Sequence, residues 1–260
     1  MQKTMMNCSH SQHTGDAVVV YRTENCTSSL DKAWALSESD SFHEWASVLA
    51  DAQSQGRGQY HRHWHSPRGN IYGALRLADF GSLWANLTSL MVADAMVEFF
   101  KQIKIRMAIK WPNDLLVGGR KVGGILIERK ADIIIAGIGL NMAWAPAYHQ
   151  LDRPSATPPI ALSELGIRLA PVDIWPDLVC HMRRYMQRIF SQKTPETFIH
   201  GLTSHLAYVG ERVLLDTHTG ELLPVLFNGI HIDGGIKIET VHGKQTVYSA
   251  SIHPMIESAI

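Results

Sequence analysis

The run Ala17-Val18-Val19-Val20-Tyr21 is apolar and β-branched without interruption, the pattern of a buried strand. Ser28-Ser29-Leu30-Asp31 follows as a cap before an Ala/Leu/Trp-rich helix, so the chain opens as strand then helix. Residues 1–16 show no periodicity and read as a flexible tail, whose His10 and His13 would bind stray metal only weakly. A second apolar stretch from 45 to 52 leads into Gly56-Arg57-Gly58 and a long polar loop to Asn70, after which Ile71–Leu77 reads as a strand. Apolar residues at helical spacing fill 81–103, with Leu83, Leu87, Leu90, Met91, Ala95, Val97 and Phe100 forming a stripe that predicts a helix packed on a sheet.

Strand-like runs at 107–111, 121–128 and Ile133–Leu140 come next, the first two separated by turn signals at Pro112-Asn113-Asp114 and Gly118-Gly119. Consecutive strands imply an antiparallel portion of the sheet. Beyond a Pro/Ala-rich loop from 144 to 159, residues 160–165 and 172–190 read as two helices. From Gly210 the pattern changes to short alternating strands, with turns at His218-Thr219-Gly220, Asp233-Gly234-Gly235 and His242-Gly243, the signature of a small β-barrel or sandwich. The fold class is therefore α+β, with a mixed or antiparallel sheet carrying helices over 17–204 and a small β domain over 205–260.

Composition narrows the functional classes. The 260 residues are 45% hydrophobic and 18% charged, an ordinary globular balance, and 24 Lys+Arg against 24 Asp+Glu leave no basic surplus for a nucleic-acid partner. No signal-peptide h-region opens the chain, and no apolar run approaches the roughly 18 residues that span a bilayer, so neither secretion nor a membrane is expected. Cys8, Cys26 and Cys180 are far apart and include no CxxC pair; they indicate neither a disulfide framework nor a zinc knuckle and suit a reducing cytoplasm.

Four segments carry candidate chemistry. In 53–70, glycines let backbone N–H groups approach an anion, Arg57 and Arg62 offer forked donors for phosphate or carboxylate, and Trp64 offers a stacking face. Lys110-Trp111-Pro112-Asn113-Asp114 places a cation, an amide and a carboxylate within one turn, although a Pro-initiated turn with Asn and Asp bonding their own backbone would look the same. Lys121 opens the apolar strand Lys121-Val122-Gly123-Gly124-Ile125-Leu126-Ile127-Glu128, where it would otherwise simply snorkel. Gly137-Ile138-Gly139-Leu140-Asn141 lacks the full dinucleotide-binding pattern.

In this order and spacing the four segments resemble the biotin protein ligase family, whose motifs run approximately GRGRxGRxW-SP-G, KWPND, KxGGILxE and GxGxN. The likeness covers about 17–145, and Val209–Val213 through Gly229–Gly234 to Ala250-Ser251-Ile252 resembles the family's small C-terminal SH3-like β-barrel. Thr27-Ser28-Ser29-Leu30-Asp31 looks like the family's DSTND segment with leucine in place of asparagine. The resemblance implies a class II aminoacyl-tRNA synthetase-like biotin/lipoate ligase fold. It also implies ATP and biotin as substrates, Mg²⁺ as their companion, and a biotin carboxyl carrier protein as partner. Carried residue by residue, it places Ser28, Ser29, Gln53 and Lys121 on biotin, with Gly123 and Gly124 making room. Arg57, Gly58, Gln59 and the following loop would close over the adenylate, and Trp64, Lys110, Asn113 and Asn141 would hold ATP. Lys121, Arg57 and Asp114 are the expected catalytic residues, Asp114 contacting the metal that accompanies ATP or orienting or deprotonating the acceptor amine, and no resident metal site is expected.

The chain departs from the family pattern after Gly58, where Gln59, Tyr60 and His61 stand in place of arginine, a variable residue and glycine. This loss of one cation predicts a looser hold on the adenylate. His61, His63 and His65 alternate, so a metal site on one face of an extended segment is conceivable; phosphate contact explains them as well. About 16 residues precede the first strand, too few at ~1.5 Å rise per residue for the helix-turn-helix that many family members carry, so DNA binding is not expected. Family members pair through their sheets, which makes a homodimer possible. Two alternatives stay open: a lipoate or octanoate ligase or transferase, which shares the catalytic fold, and a non-catalytic biotin- or adenylate-binding protein, motivated by Gln59 and His61.

Overall fold

In the computed structural model, which describes residues 1–7, 17–39, 41–151, 157–217 and 221–255, the buried run at 17–21 begins the second strand of an eight-stranded sheet. The first unit comprises β1 (Gln2–Asn7), β2 (Ala17–Cys26), helix α1 (Ser29–Ser37), β3 (Ser47–Gln53) and β4 (Ile71–Leu77). Helix α2 (Thr88–Gln102) precedes β5 (Ala108–Lys110), β6 (Asp114–Val117), β7 (Arg120–Lys130) and β8 (Ile133–Leu140). The sheet order is β1-β2-β3-β4-β8-β7-β6-β5. Among the strands of the described residues only β2 and β3 pair parallel, and α1 supplies the crossover that a parallel pair requires. The other ladders are antiparallel, as the tightly spaced runs from 107 to 140 predicted.

Because side chains alternate along a strand, one sheet feeds two cores. Ala74 and Ile135 pack with Leu30, Ala33 and Trp34 of α1, whereas Leu75 and Ile134 belong to the larger cluster on the opposite face. That face is covered by α2 and by α3 (Pro171–Gln192), followed by α4 (Pro195–Leu202). Trp175 of α3 is fully buried, and its Nε1 donates to Ser47 Oγ at 3.0 Å, so its polar atom is satisfied in the core. Full burial of each Leu or Ile in these layers contributes roughly 1.5–3 kcal/mol.

A second sheet is formed by β9 (Arg212–Asp216), β10 (Leu222–Ile230), β11 (Ile236–Thr240), β12 (Gly243–Val247) and β13 (Ser251–Pro254), all antiparallel in the order β12-β11-β10-β9-β13. This is the small C-terminal β domain expected; among the described residues no ladder joins β12 to β13 to close a barrel. Its β10–β11 turn docks on the main domain, where Trp111 Nε1 donates to Gly234 O at 2.9 Å.

Several expectations are corrected. The start of the tail is the edge strand β1: the free edge of β2 supplies its ladder, and Thr4 and Met6 turn inward while Lys3 and Met5 stay exposed. Cys8, His10, His13 and the turn at 218–220 lie outside the described residues. Cys180 is disulfide-bonded and Cys26 is free, so the thiols are not all reduced as the cysteine spacing suggested. Helix 160–165 is one 3-10 turn, Leu162–Leu165, ended by Gly166 in the left-handed conformation, and α4 was not foreseen although Thr194-Pro195 is a good start signal. The short β6 lies between the turn signals at 112–114 and 118–119, where the sequence pattern shows only a connection. Ser82–Gln102 is long and apolar enough by length and composition to cross a membrane, but 72% of its apolar window is buried within the protein, which accounts for it as core.

Candidate active site

The α1 face of the sheet carries a cavity of about 190 Å³. Its floor is made by β7 and β8, and its roof is the loop after β3, which bends back so that Trp64 lies flat on the strands. Glycine at 139 makes this possible: a Cβ there would stand 2.6 Å from Cε2 of Trp64. Gly124 lies under the same ring, and the Lys121 ammonium sits 5.4 Å from its centroid. Gly123 does not reach the cavity. Alternation turns it to the other side of β7, where a Cβ would meet Gly139 O at 2.8 Å and Leu140 Cδ1 at 2.9 Å, so its expected place beside biotin is corrected.

One end of the cavity is built at the start of α1. Ser28 is the N-cap, its Oγ accepting from Leu30 N at 3.2 Å. Ser29 N donates to Gln53 Oε1 at 2.7 Å, and Gln53 Nε2 donates to Ser66 Oγ at 2.9 Å, so the ends of β2 and β3 and the loop are tied into one polar corner. Leu30, Tyr72, Ile125 and Leu126 give the cavity its apolar surface.

The other end is charged. The β5–β6 hairpin sets Lys110 opposite Asp114, with Nζ 2.9 Å from Oδ2, and Lys121 Nζ reaches Oδ1 of the same carboxylate at 2.5 Å. Lys110 also donates to Thr157 Oγ1 at 3.1 Å. Burial works against the Asp114 charge, but the two ammonium groups outweigh it and hold the carboxyl well below the usual carboxylate range. Burial lowers the Lys110 ammonium; Asp114 offsets part of that and Lys121 adds to it. Asn113 Nδ2 donates to Ile125 O at 2.7 Å and Asn141 Nδ2 to Ile160 O at 3.3 Å, so both amides are anchored to neighbouring backbone at the cavity wall.

Arg57, Gly58 and Gln59 line the rim. The Arg57 guanidinium is engaged, its Nη2 3.1 Å from Glu128 Oε1 and its Nη1 bonded to Asp31. Arg62 differs: its Nη2 is buried at the cavity with no hydrogen-bond partner among the described residues. His63 and His65 stand exposed at the mouth, their rings edge to face at 4.7 Å.

The Biotin/lipoate A/B protein ligase family matches residues 23–142. A biotin acetyl-CoA-carboxylase ligase of Paracoccus denitrificans is 31% identical over 215 residues, covering 79% of this chain and 88% of that protein. The chain belongs to this ligase family. The bifunctional ligase/repressor BirA of Bacillus subtilis is 32% identical over 222 residues, which is 79% of this chain and 65% of that protein. Among solved structures, the biotin protein ligase from Aquifex aeolicus in complex with biotin and ATP superposes with a TM-score of 0.75 at 23% identity, over 90% of this chain and 97% of that one. The ligase from Leishmania major in complex with biotinyl-5-AMP gives 0.60 at 22% identity, over 88% and 98%. At these identities the likeness establishes the shared fold.

Of the residues singled out in the sequence, the ligase-family fold brings Ser28, Ser29, Gln53, Arg57, Gly58, Gln59, Trp64, Lys110, Asn113, Asp114, Lys121, Gly124 and Asn141 to this one cavity. It adds residues that the sequence did not indicate: Thr157, and from the C-terminal sheet Asp216, Ser251 and His253. No local signal marks these last three, since short alternating strands explain their surroundings completely. Their role comes from where the second sheet docks.

Proposed function

We propose that this protein joins biotin to ATP, forming biotinyl-5′-AMP and pyrophosphate, and passes the biotinyl group to a lysine of a biotin carboxyl carrier protein. The observation that carries the reading is the Lys110–Asp114–Lys121 cluster at one end of a cavity whose other end is apolar and closed by Ser28, Ser29 and Gln53. A fused ring system with a carboxylate tail fits such a shape: ring on the apolar floor against the polar corner, carboxylate toward Lys121.

In the first step a biotin carboxylate oxygen attacks the α-phosphorus of ATP, and the bond to pyrophosphate breaks. Lys121 and Lys110 stand where negative charge gathers, and fixed cations in a low-dielectric cleft stabilise it without reorganising. Trp64 offers its exposed face to the nucleotide, while Asn113 and Asn141 shape the wall. Arg57 reaches the adenylate by exchanging Asp31 or Glu128 for phosphate as the loop tightens. In the second step the carrier amine attacks the mixed anhydride, an amide forms as the bond from the acyl carbon to the phosphate oxygen breaks, AMP leaves, and the amine gives up a proton to solvent water. Asp114, clamped by two ammonium groups and held far down, serves to aim Lys110 and Lys121 rather than to accept that proton.

Mg²⁺ fits as the counter-ion that travels with ATP. Among the described residues no group of three or more His, Cys, Asp or Glu is placed to hold a metal, and Asp114 is already saturated by lysines. When bound it supplies neutralising charge to the phosphates. The functional division falls near residue 205, with the second sheet closing one side of the site.

Pyrophosphate release with Mg-ATP and either biotin or lipoate, followed by transfer to an apo carrier domain, tests the reading. We expect release only with biotin, and transfer. Lipoate-dependent release would reassign the substrate; biotin binding without release would leave a non-catalytic binding protein.

A further inference from the structure

His253 on β13 lies in the wall of the cavity yet belongs to the C-terminal sheet. Its side chain is 9% exposed, and neither ring nitrogen has a hydrogen-bond partner among the described residues. A buried imidazole with both nitrogens unpaired is costly unless something that enters the cavity completes it. The nearest protein oxygen in an ion-pair geometry, Asp216 Oδ2 on β9, is 4.0 Å away, beyond hydrogen-bond reach.

The charges around the ring say what that visitor is. Lys110 from β5, Asp114 from β6, Asp216 from β9 and Arg62 from the roof loop all face it. Lys121 lies just beyond, on Asp114. Three cations against two carboxylates leave a positive surplus before the histidine is counted. Burial first, and Lys110 next, push the ring down to about 4, so it stands neutral at pH 7. Arg62 Nη2 and Trp64 Nε1, both from the roof loop, are further buried donors at this cavity with no hydrogen-bond partner among the described residues. Unsatisfied donors from the second sheet and from the roof loop, in a positive pocket, fit a multiply charged anion with several acceptor oxygens.

We propose that His253 is a substrate-contacting residue that donates a ring N–H to the phosphate oxygens leaving as pyrophosphate, and that it takes up a proton from solvent as they arrive. The inference rests on the ligase reading of the cavity and adds to it a contact from the second domain. The polyphosphate reverses the local surplus of positive charge, so the ring that is neutral in the free protein becomes an imidazolium with two donors. When pyrophosphate departs, the ring returns the proton to solvent. The C-terminal sheet thereby senses which phosphates occupy the site, and β13 has a reason to seat its histidine inward where strand alternation alone would accept any apolar residue.

The test uses the full chain and inorganic pyrophosphate. Calorimetric titrations in two buffers of different ionisation enthalpy measure proton uptake at pH 7. The wild type takes up a fraction of a proton per pyrophosphate bound. His253→Gln keeps an N–H donor but cannot titrate; it binds pyrophosphate within a few-fold of wild type and takes up none. His253→Phe loses the donor and binds about tenfold more weakly, the loss expected for one charge-assisted hydrogen bond. In turnover its KM for ATP rises while its KM for biotin does not. Biotin affinity, measured on each variant, stays at the wild-type value and shows that the site is folded. Unchanged pyrophosphate affinity in His253→Phe, absence of uptake in the wild type, or persistence of uptake in His253→Gln would each overturn the proposal. A wild-type protein that neither binds biotin nor releases pyrophosphate would instead overturn the ligase reading on which it stands.

Discussion

Lys121 Nζ lies 2.5 Å from Oδ1 of Asp114, a contact between two strands that meet in the sheet only because β6 and β7 pair. The other oxygen of Asp114 holds Lys110. Replacing Asp114 by Asn leaves two ammonium groups facing each other in a buried site without their counter-ion. We expect Asp114→Asn to lose about 3–5 kcal/mol of stability in urea unfolding, the cost of breaking a buried pair from one side. The sign with pH follows from the lowered carboxyl: the contribution of Asp114 is present above its unfolded value of about 3.9 and is lost as pH falls toward its lower folded value. The variant should therefore lack the part of the acid-limb slope that the wild type shows below about pH 4.

Gln59 stands on the rim where the family pattern has arginine, and neighbouring Arg57 is shared between Asp31 and Glu128. A roof with one cation fewer holds the adenylate less firmly. Gln59→Arg should slow escape of biotinyl-5′-AMP by about tenfold, the worth of one charge-assisted bond. Biotinylation of bystander lysines in dilute protein mixtures reads this directly. Equal escape from both proteins would show that Gln59 is not the weak point.

Trp64 rests on Gly139 at a distance that leaves no space for a methyl group. Gly139→Ala should lift the indole from the floor and raise the KM for ATP, with a stability loss of about 1–3 kcal/mol from overpacking. If stability falls and the KM for ATP does not move, the seat is structural and Trp64 does not meet the nucleotide.

Far from the cavity, His205 Nδ1 is 2.6 Å from Asp94 Oδ1, and Asp94 Oδ2 accepts from Tyr185 Oη, so one buried carboxylate joins α2, α3 and the segment after α4. The hydrogen bond to Asp94 raises the imidazole, with burial opposing it. A group whose folded value is raised contributes fully below its unfolded value of about 6.5 and loses that contribution as pH rises through the folded value. Urea midpoints should accordingly decline from pH 6.5 upward, and His205→Gln should flatten that decline. A wild-type midpoint that is level across this range would refute the linkage.

The strands Ile71–Leu77 and Ile133–Leu140 emerge in the structure with the bounds the sequence suggested, because each is predominantly apolar and opens after a polar residue, Asn70 or Asp132. Ser28 caps α1 as its side chain and position imply. The motif residues also meet, since strands adjacent in a sheet bring Lys110, Asp114 and Lys121 within reach once their pairing is set. By contrast β1 carries no apolar run, and it forms because a neighbouring edge needs partners for its backbone groups. Helix α4 is only eight residues long, too short for periodicity to stand out.

By itself, the sequence determined the order of elements, the amphipathic stripes that make two cores, and the set of polar residues worth watching, because these depend on local periodicity and side-chain chemistry. Tertiary structure decided which of them face the cavity. Gly124 faces Trp64 while Gly123 faces the core, a distinction set by sheet register. Arg57 lies against Asp31 and Glu128 while Arg62 Nη2 has no hydrogen-bond partner among the described residues, a distinction set by how the loop folds back. His253 enters the site across more than a hundred residues of intervening chain because the second sheet docks where it does. Pairing register and docking are sums over many distant contacts, and no window along the chain contains them.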